Sequence, residues 1–233
     1  MLLFCAELRF GAKFFGMDAK TDRPFRTIWI GVGLLAGILG LAFWVEQFEQ
    51  PPAAPLPVLG QVNDFALTNQ FGQAVTLASL RGQVWLADVI FTRCPGPCAR
   101  MTRQMAEVQA ALPKDSKAHL ISLTTDPEFD TPLVLKDYPA RLKVEATARW
   151  QFLTGTKKEI ANLGIHSLKL AAVEKPLELR EQADDLFIHA TIFVLVDKQA
   201  RLRGIFETGG EGVEWTNVQP AIISAIRQLE QER

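Results

Sequence analysis

The longest apolar run of the chain, Ile28–Val45 (IWIGVGLLAGILGLAFWV), contains neither a charge nor a proline. As a helix, about 18 residues at 1.5 Å each cover roughly 27 Å, close to the hydrocarbon thickness of a bilayer. Trp29 and Trp44 stand near its ends, where indole rings favour the membrane interface. The pattern predicts a transmembrane helix over 28–45; a buried core helix, the ordinary alternative, rarely lacks polar residues all round. Lys13, Lys20, Arg23 and Arg26 precede the run, and Glu46 and Glu49 follow it. The positive-inside rule then puts residues 1–27 in the cytoplasm as an N-terminal tail and everything after Val45 outside. A cleaved signal peptide fits less well, because its apolar region is usually shorter and no clear small-x-small site precedes Glu46. Within the tail, Met17 heads a compact basic lead (MDAKTDRPFR) and is a candidate for the true start.

Beyond the anchor the pattern changes. Residues 46–60 form a Pro-rich linker, in which Gln50–Pro57 (QPPAAPLP) reads as a stiff polyproline-like spacer. A domain over 61–233 follows. Short strands are predicted over Asp64–Leu67 and Ala74–Leu77, around the turn cluster Asn69-Gln70-Phe71-Gly72. Gln83–Phe91 (QVWLADVIF) is mostly apolar, as in a central strand covered on both faces. Ala99–Leu112 reads as a helix with Met101, Met105, Val108 and Leu112 at helical spacing, and core packing is the ordinary role of such methionines. His119–Leu123 is the next strand. Asp130-Thr131-Pro132 then opens a helix that Pro139 ends or kinks. Gln151–Leu153 is a short strand and Lys157–Leu163 a short helix. Ile188–Val196 (IHATIFVLV) is a second buried strand, turned through Asp197–Ala200 into Arg201–Phe206. A last helix runs from about Val218, with Ala221, Ile222, Ala225, Ile226 and Leu229 on one face. This order is that of an α/β, thioredoxin-like sandwich, here preceded by one N-terminal transmembrane helix.

Composition narrows the function. A net charge of −1 gives no electrostatic case for a nucleic-acid partner. Three cysteines are too few for a stapled secreted scaffold. Cys5 falls on the cytoplasmic side, which leaves Cys94 and Cys98 as a close pair in Thr92-Arg93-Cys94-Pro95-Gly96-Pro97-Cys98. The pair lies between a buried strand and a helix, where the helix dipole lowers a thiol pKa, and Arg93 and Arg100 are expected to add to that. Thiolate both binds metal and attacks disulfides. The CxxxC spacing, wider than CxxC, suits two sulfurs closing on one ion. Sulfur with imidazole suits copper or zinc, and zinc in a closed structural site usually takes a fourth protein ligand.

Other candidates have ordinary readings beside the functional one. His189 opens the late buried strand, whose leading loop faces the cysteine turn in thioredoxin-like folds and commonly carries a proline; here that loop has none. A lone histidine at a strand start is more often a surface or hydrogen-bonded residue, and His119 and His166 are read that way. Asp88 interrupts an apolar strand six residues before Cys94. Buried without a cation, it would have a raised pKa and serve as a candidate proton relay for the pair; a structural carboxylate is the ordinary alternative. Asp126 and Asp130 read as capping or turn residues on a loop at the cysteine end.

Several ordered motifs together resemble the Sco/SenC family of copper-binding, thioredoxin-like cytochrome c oxidase assembly factors. They are Phe91-Thr92-Arg93-Cys94-Pro95 with Cys98, Thr125-Asp126-Pro127-Glu128-Phe129-Asp130-Thr131-Pro132, Leu153-Thr154-Gly155-Thr156, and His189 followed by Ile192–Asp197. The likeness spans about Val62–Leu229. It implies a membrane anchor, a thioredoxin-like fold, and a copper ion held by Cys94, Cys98 and His189. Two positions depart from the family pattern: Ala99 stands where proline often follows the second cysteine, and Ile188 where aspartate often precedes the histidine. The second departure removes a carboxylate that would orient the imidazole.

Two functions follow as expectations. One is a membrane-anchored copper-binding protein that delivers copper to, or matures the copper centre of, a respiratory cytochrome c oxidase. Its partners would be the copper-bearing oxidase subunit or another copper chaperone, on the periplasmic side of the cytoplasmic membrane. The other is an extracytoplasmic thiol–disulfide oxidoreductase, with Cys94 attacking and Cys98 resolving. Beyond generic thiolate activation, nothing near Cys94 supports peroxide reduction.

Overall fold

A computed structural model describes residues 22–48, 54–94, 96–170, 172–174, 187–189 and 191–232. Met17 and Cys5 lie outside them. The chain divides into two units, the second starting at Ala54. In the first, helix α1 (Asp22–Phe48) contains the whole apolar run. Its described large side chains, Ile28, Trp29, Leu34, Leu39 and Phe43 among them, are exposed. Among the described residues no helix is long and apolar enough to cross a membrane; the side chains of residues 42 and 45–48, within and just past the run, lie outside that description.

The second unit runs β1 (Gly60–Gln61), β2 (Ala66–Asn69), β3 (Ala74–Thr76), α2 (Leu77–Leu80), β4 (Trp85–Ile90), α3 (Pro97–Ala111), β5 (His119–Thr124), α4 (Pro132–Arg141) and β6 (Trp150–Thr154). It continues through α5 (Lys157–Ala161), a π-helical turn (Asn162–Ser167), β7 (Ala172–Glu174), β8 (Phe187–His189), β9 (Ile192–Val196), β10 (Arg201–Glu207) and α6 (Trp215–Gln231). Eight strands form one sheet in the order β1-β10-β9-β4-β5-β6-β2-β3, and β7 and β8 pair separately. The strands β4, β5 and β6 are parallel, and β9 is antiparallel to β4.

Every residue of β4 is buried, because the sheet is covered on both faces. Side chains of α3, α4 and α6 pack with Leu86, Ile90, Trp150, Phe152 and Phe193 on one face, and Met101 and Met105 are part of that core. On the other, Leu77, Leu80, Ile160, Leu163 and Leu168 pack on Trp85, Ala87, Val89 and Ile121. Thr131 caps α4 by accepting from the Val134 N–H, with Pro132 in the first turn. Pro139 lies inside that helix, close to its end.

Two expectations change. The strand expected over Ile188–Val196 is broken into β8 and β9. Counting on from the pair Ala87↔Val194, β9 comes level with the last residue of β4 near Thr191. Among the described residues 187–189 have no partner in the main sheet; they pair with β7, His189 opposite Ala172. The linker also differs from a free spacer over its last residues. Arg203, almost wholly buried, donates to the Leu56 carbonyl (2.7 and 3.1 Å) and the Pro57 carbonyl (3.2 Å), and Gln228 donates to the Ala54 carbonyl (2.8 Å). Extended, proline-rich backbone leaves its carbonyls unpaired, so a buried guanidinium can take them. Asp197 and Glu232 complete the Arg203 site, at 2.8 and 2.7 Å.

A chain starting at Ala54 is therefore expected to fold by itself and to be about 1–3 kcal/mol more stable than one starting at Gln61, because the shorter chain leaves Arg203 short of acceptors. Urea unfolding followed by circular dichroism checks this; equal midpoints would remove the linker from the folded unit.

Candidate metal and redox site

The C-terminal end of β4 leads directly into the cysteine turn. The Cys94 N–H donates to the Phe91 carbonyl (3.1 Å). Gly96 is the N-cap residue of α3, with proline in the first turn and no side-chain cap. Cys98, in that first turn, is fully buried in the core, whereas Cys94 is half-buried. The Cys98 backbone N–H points at the Cys94 sulfur, 3.4 Å away. The positive end of α3 thus acts on Cys94, and Cys94 is the sulfur placed to carry negative charge. The Cys98 thiol moves the other way. Its hydrogen bond to Cys94, then burial, then the charges of Cys94 and Asp88 push it well above the ordinary thiol value.

Both arginines beside the pair have contacts of their own. The Arg93 guanidinium holds Asp126 Oδ2 at 2.6 Å through Nη2 and 3.2 Å through Nε, and lies 4.2 Å over the Phe129 ring. Arg100 lies so close to Gly209 that any side chain there would collide with it.

Asp126 and Asp130 do more than shape their own loop. Asp130 is fully buried. It accepts the Thr92 N–H (3.0 Å) and the hydroxyls of Thr92 and Thr124. Burial pushes its carboxyl up, against hydrogen bonds that favour the ionised form. The helix cap is Thr131, so Asp130 is free to reach the cysteine turn. Asp130 thus joins Thr92, part of the cysteine motif, to Thr124, a link that the sequence does not display.

Asp88 lies on the face of β4 that packs against α3, the same face as Leu86 and Ile90. It is fully buried, and neither carboxylate oxygen has a hydrogen-bond partner of ordinary geometry among the described residues. Burial raises its pKa to about 7; Ser122, its register partner on β5, favours the ionised form only in part. Tyr138 is close to the same group. Its hydroxyl is hydrogen-bonded to Thr102 Oγ1 (3.2 Å), which donates to the Cys98 carbonyl (2.9 Å). Burial, and to a lesser degree the charges of Cys98, Asp88 and Cys94, raise the tyrosine pKa.

The His189 side chain lies outside the described ones, and the backbone places the residue at the end of β8. Two positions further on, Thr191 is held firmly. Its carbonyl accepts the Thr208 N–H (2.7 Å) and hydroxyl (2.9 Å), and its hydroxyl donates to the Gly209 carbonyl (2.8 Å). Gln104 of α3 donates to the Thr208 carbonyl (2.8 Å). The helix that carries Cys98 therefore also fixes the chain that follows His189. Among the described residues no group of three or more His, Cys, Asp and Glu is placed to hold a metal. His119 is half-buried at the start of β5, and burial, then Arg149, lower its pKa. His166 sits in the π-helical turn.

Residues 58–218 match the SCO1/SenC family profile. A SCO1 protein homolog of Bacillus subtilis is 37% identical over 175 residues, which cover 73% of this chain and 84% of that protein. BsSco, a member of the Sco family of cytochrome c oxidase assembly proteins in which a disulfide switch was identified, superposes with a TM-score of 0.63 at 32% identity, over 77% of this chain and 100% of that one. ScoI of Bradyrhizobium japonicum, solved with copper bound, gives a TM-score of 0.59 at 27% identity, over 72% and 99%. With a family match across most of its folded unit and its thioredoxin-like sheet shared with solved Sco structures, the chain belongs to the SCO1/SenC family.

Proposed function

We propose that this protein binds one copper ion through Cys94, Cys98 and His189 and delivers it to, or matures, the copper centre of a respiratory cytochrome c oxidase. The observation that carries this is the cysteine pair itself: two sulfurs held side by side at the end of a buried strand, in a family with a relative solved with copper bound. Copper is cargo in this reading, and its partner is the copper-bearing oxidase subunit or another copper chaperone. Two thiolates alone hold Cu(I), and an imidazole adds the nitrogen that Cu(II) prefers. Anchoring of Thr191 to the helix of Cys98 supports His189 as the third ligand. The helix α1, with its uncharged run, supports a single-pass anchor in the cytoplasmic membrane and a domain on the periplasmic side.

A second reading, thiol–disulfide exchange, is favoured by Asp88. In it the Cys94 thiolate attacks a partner disulfide, a mixed disulfide forms, and one partner thiolate leaves. Cys98 then gives its proton to Asp88 and attacks the Cys94 sulfur, which releases the second partner thiolate. The partner gains two electrons, Cys94 and Cys98 lose them to their disulfide, and an external dithiol restores the pair.

His189→Ala is expected to lower Cu(II) affinity by more than the roughly 10- to 100-fold that loss of an outer-shell partner costs, to leave Cu(I) partly held, and to spare disulfide exchange. Parallel titrations of the two metal states check it; equal Cu(II) affinity would take His189 out of the site.

Asp88→Asn is expected to slow exchange on the order of 100-fold and to change the pH dependence of stability. The unfolded carboxyl ionises near 3.8 and the folded one near 7. Between those values only the unfolded state gives up the proton, so wild type loses stability as pH rises through that window, by about 4 kcal/mol in all, and no further above it. Urea unfolding at pH 4 and pH 8 should therefore show the variant gaining on wild type at the higher pH. A constant gap would return Asp88 to a structural role.

A reporter fused after Val45 is expected to be exported and one fused before Phe25 retained in the cytoplasm. The reverse outcome would sink the proposed topology.

A further inference from the structure

We infer that Asp130 is a positioning residue for the cysteine pair and acts through Thr92. Two loops meet at the end of the parallel strands: the turn after β4, which carries Cys94, and the loop after β5. Asp130 ties them with its whole carboxylate. One oxygen takes the Thr92 N–H and the Thr124 hydroxyl, and the other takes the Thr92 hydroxyl. Thr92 is two residues before Cys94, and its backbone and side chain are both held by one buried group. The next residue, Arg93, is held by the same loop at Asp126 and Phe129. Cys94 thus leaves a backbone with little freedom in its two preceding residues. A buried carboxylate has a large desolvation cost and is retained in a fold only when its hydrogen bonds are met. Here two of the three donors that meet it come from the cysteine turn, and α4 already has its cap in Thr131. The clasp keeps Cys94 against the Cys98 N–H and Cys98 sealed in the core.

The inference rests on the proposed reading only in taking Cys94 and Cys98 as the reactive pair, and its test needs no copper. Thr92→Val removes one donor and keeps the shape, and Asp130→Asn replaces acceptors with an amide. The full chain, reduced, is alkylated with iodoacetamide across pH, and each cysteine is followed by mass spectrometry. Both variants are expected to raise the Cys98 rate roughly 10- to 100-fold, as a lost hydrogen bond to a buried group allows, and to shift the Cys94 pH–rate profile. The double variant should do little more than either single one, and Thr92→Ser, which keeps both donors, should restore the wild-type profile. Unchanged cysteine rates, with only a lowered unfolding midpoint, would overturn the positioning role. So would additive effects of the two changes. Copper titration of the same samples separates the ideas: a wild type that binds no copper, with variants that show the shifts, removes the copper reading and keeps the clasp, whereas a wild type that binds copper, with variants whose cysteines are unshifted, does the opposite.

Discussion

Burial of β4 on both faces is the constraint from which the site follows. A strand with no solvent-facing side needs apolar residues throughout, and WLADVI meets that need at every position but one. It also needs paired neighbours on both edges, which β5 and β9 supply. The strand must stop where the helical layers stop. Its chain then has to turn back over the end of the sheet, and the cysteine pair occupies that turn. β9 pairs with β4 as far as Ala87↔Val194 and with β10 as far as Glu207↔Ile192, whereas β8 pairs outside the main sheet.

Three buried charged side chains show how differently the core treats such groups. Arg203 is matched by two carboxylates and by carbonyls of the linker. Asp130 is matched by three donors from two loops. Each is a completed network, which fixes one arrangement of the chain. Asp88 is matched by no hydrogen bond of ordinary geometry among the described residues. A fold selected for stability alone would put an apolar side chain there, since the neighbours on that face are Leu86 and Ile90. Its raised pKa, close to physiological pH, is the property that an apolar residue cannot provide, and its charge is felt at the buried Cys98 thiol.

Most of the fold was legible because its signals are local. Alternation, caps and apolar runs gave β2, β4, β5, α3, α4, β10 and α6 nearly in place. The breaks in that legibility are contacts between distant segments. That Leu56 and Pro57 are bound depends on a guanidinium 146 or more positions away. That 187–189 lies outside the main sheet depends on its pairing with β7. At the site, spacing singles out Cys94, Cys98 and Asp88, and the structure sets their burial apart. The arginines beside the pair are adjacent in sequence, yet Arg93 is turned to Asp126 and Arg100 lies by the backbone at Gly209. Adjacency along the chain says nothing of where a long side chain is pulled. Thr92 carried no signal of its own, since its meaning lies in a carboxylate 38 positions later.

The pair is asymmetric in a way that suits both proposed chemistries. Cys94 is half-exposed, faces the helix N-terminus and receives the Cys98 N–H. Cys98 is sealed, and its thiol is driven toward the protonated form. An attacking thiol should be accessible and ionised and a resolving thiol should be hidden until needed. A cargo metal needs much the same: one exposed sulfur to meet the ion first, and a second that closes on it once its proton has left. What separates the two functions is then the third group. Both cysteines are carried by the rigid end of β4 and α3, whereas His189 is carried by a strand outside the main sheet. In the proposed reading, a ligand on a separate element can approach for metal and stand aside for a disulfide without moving the pair.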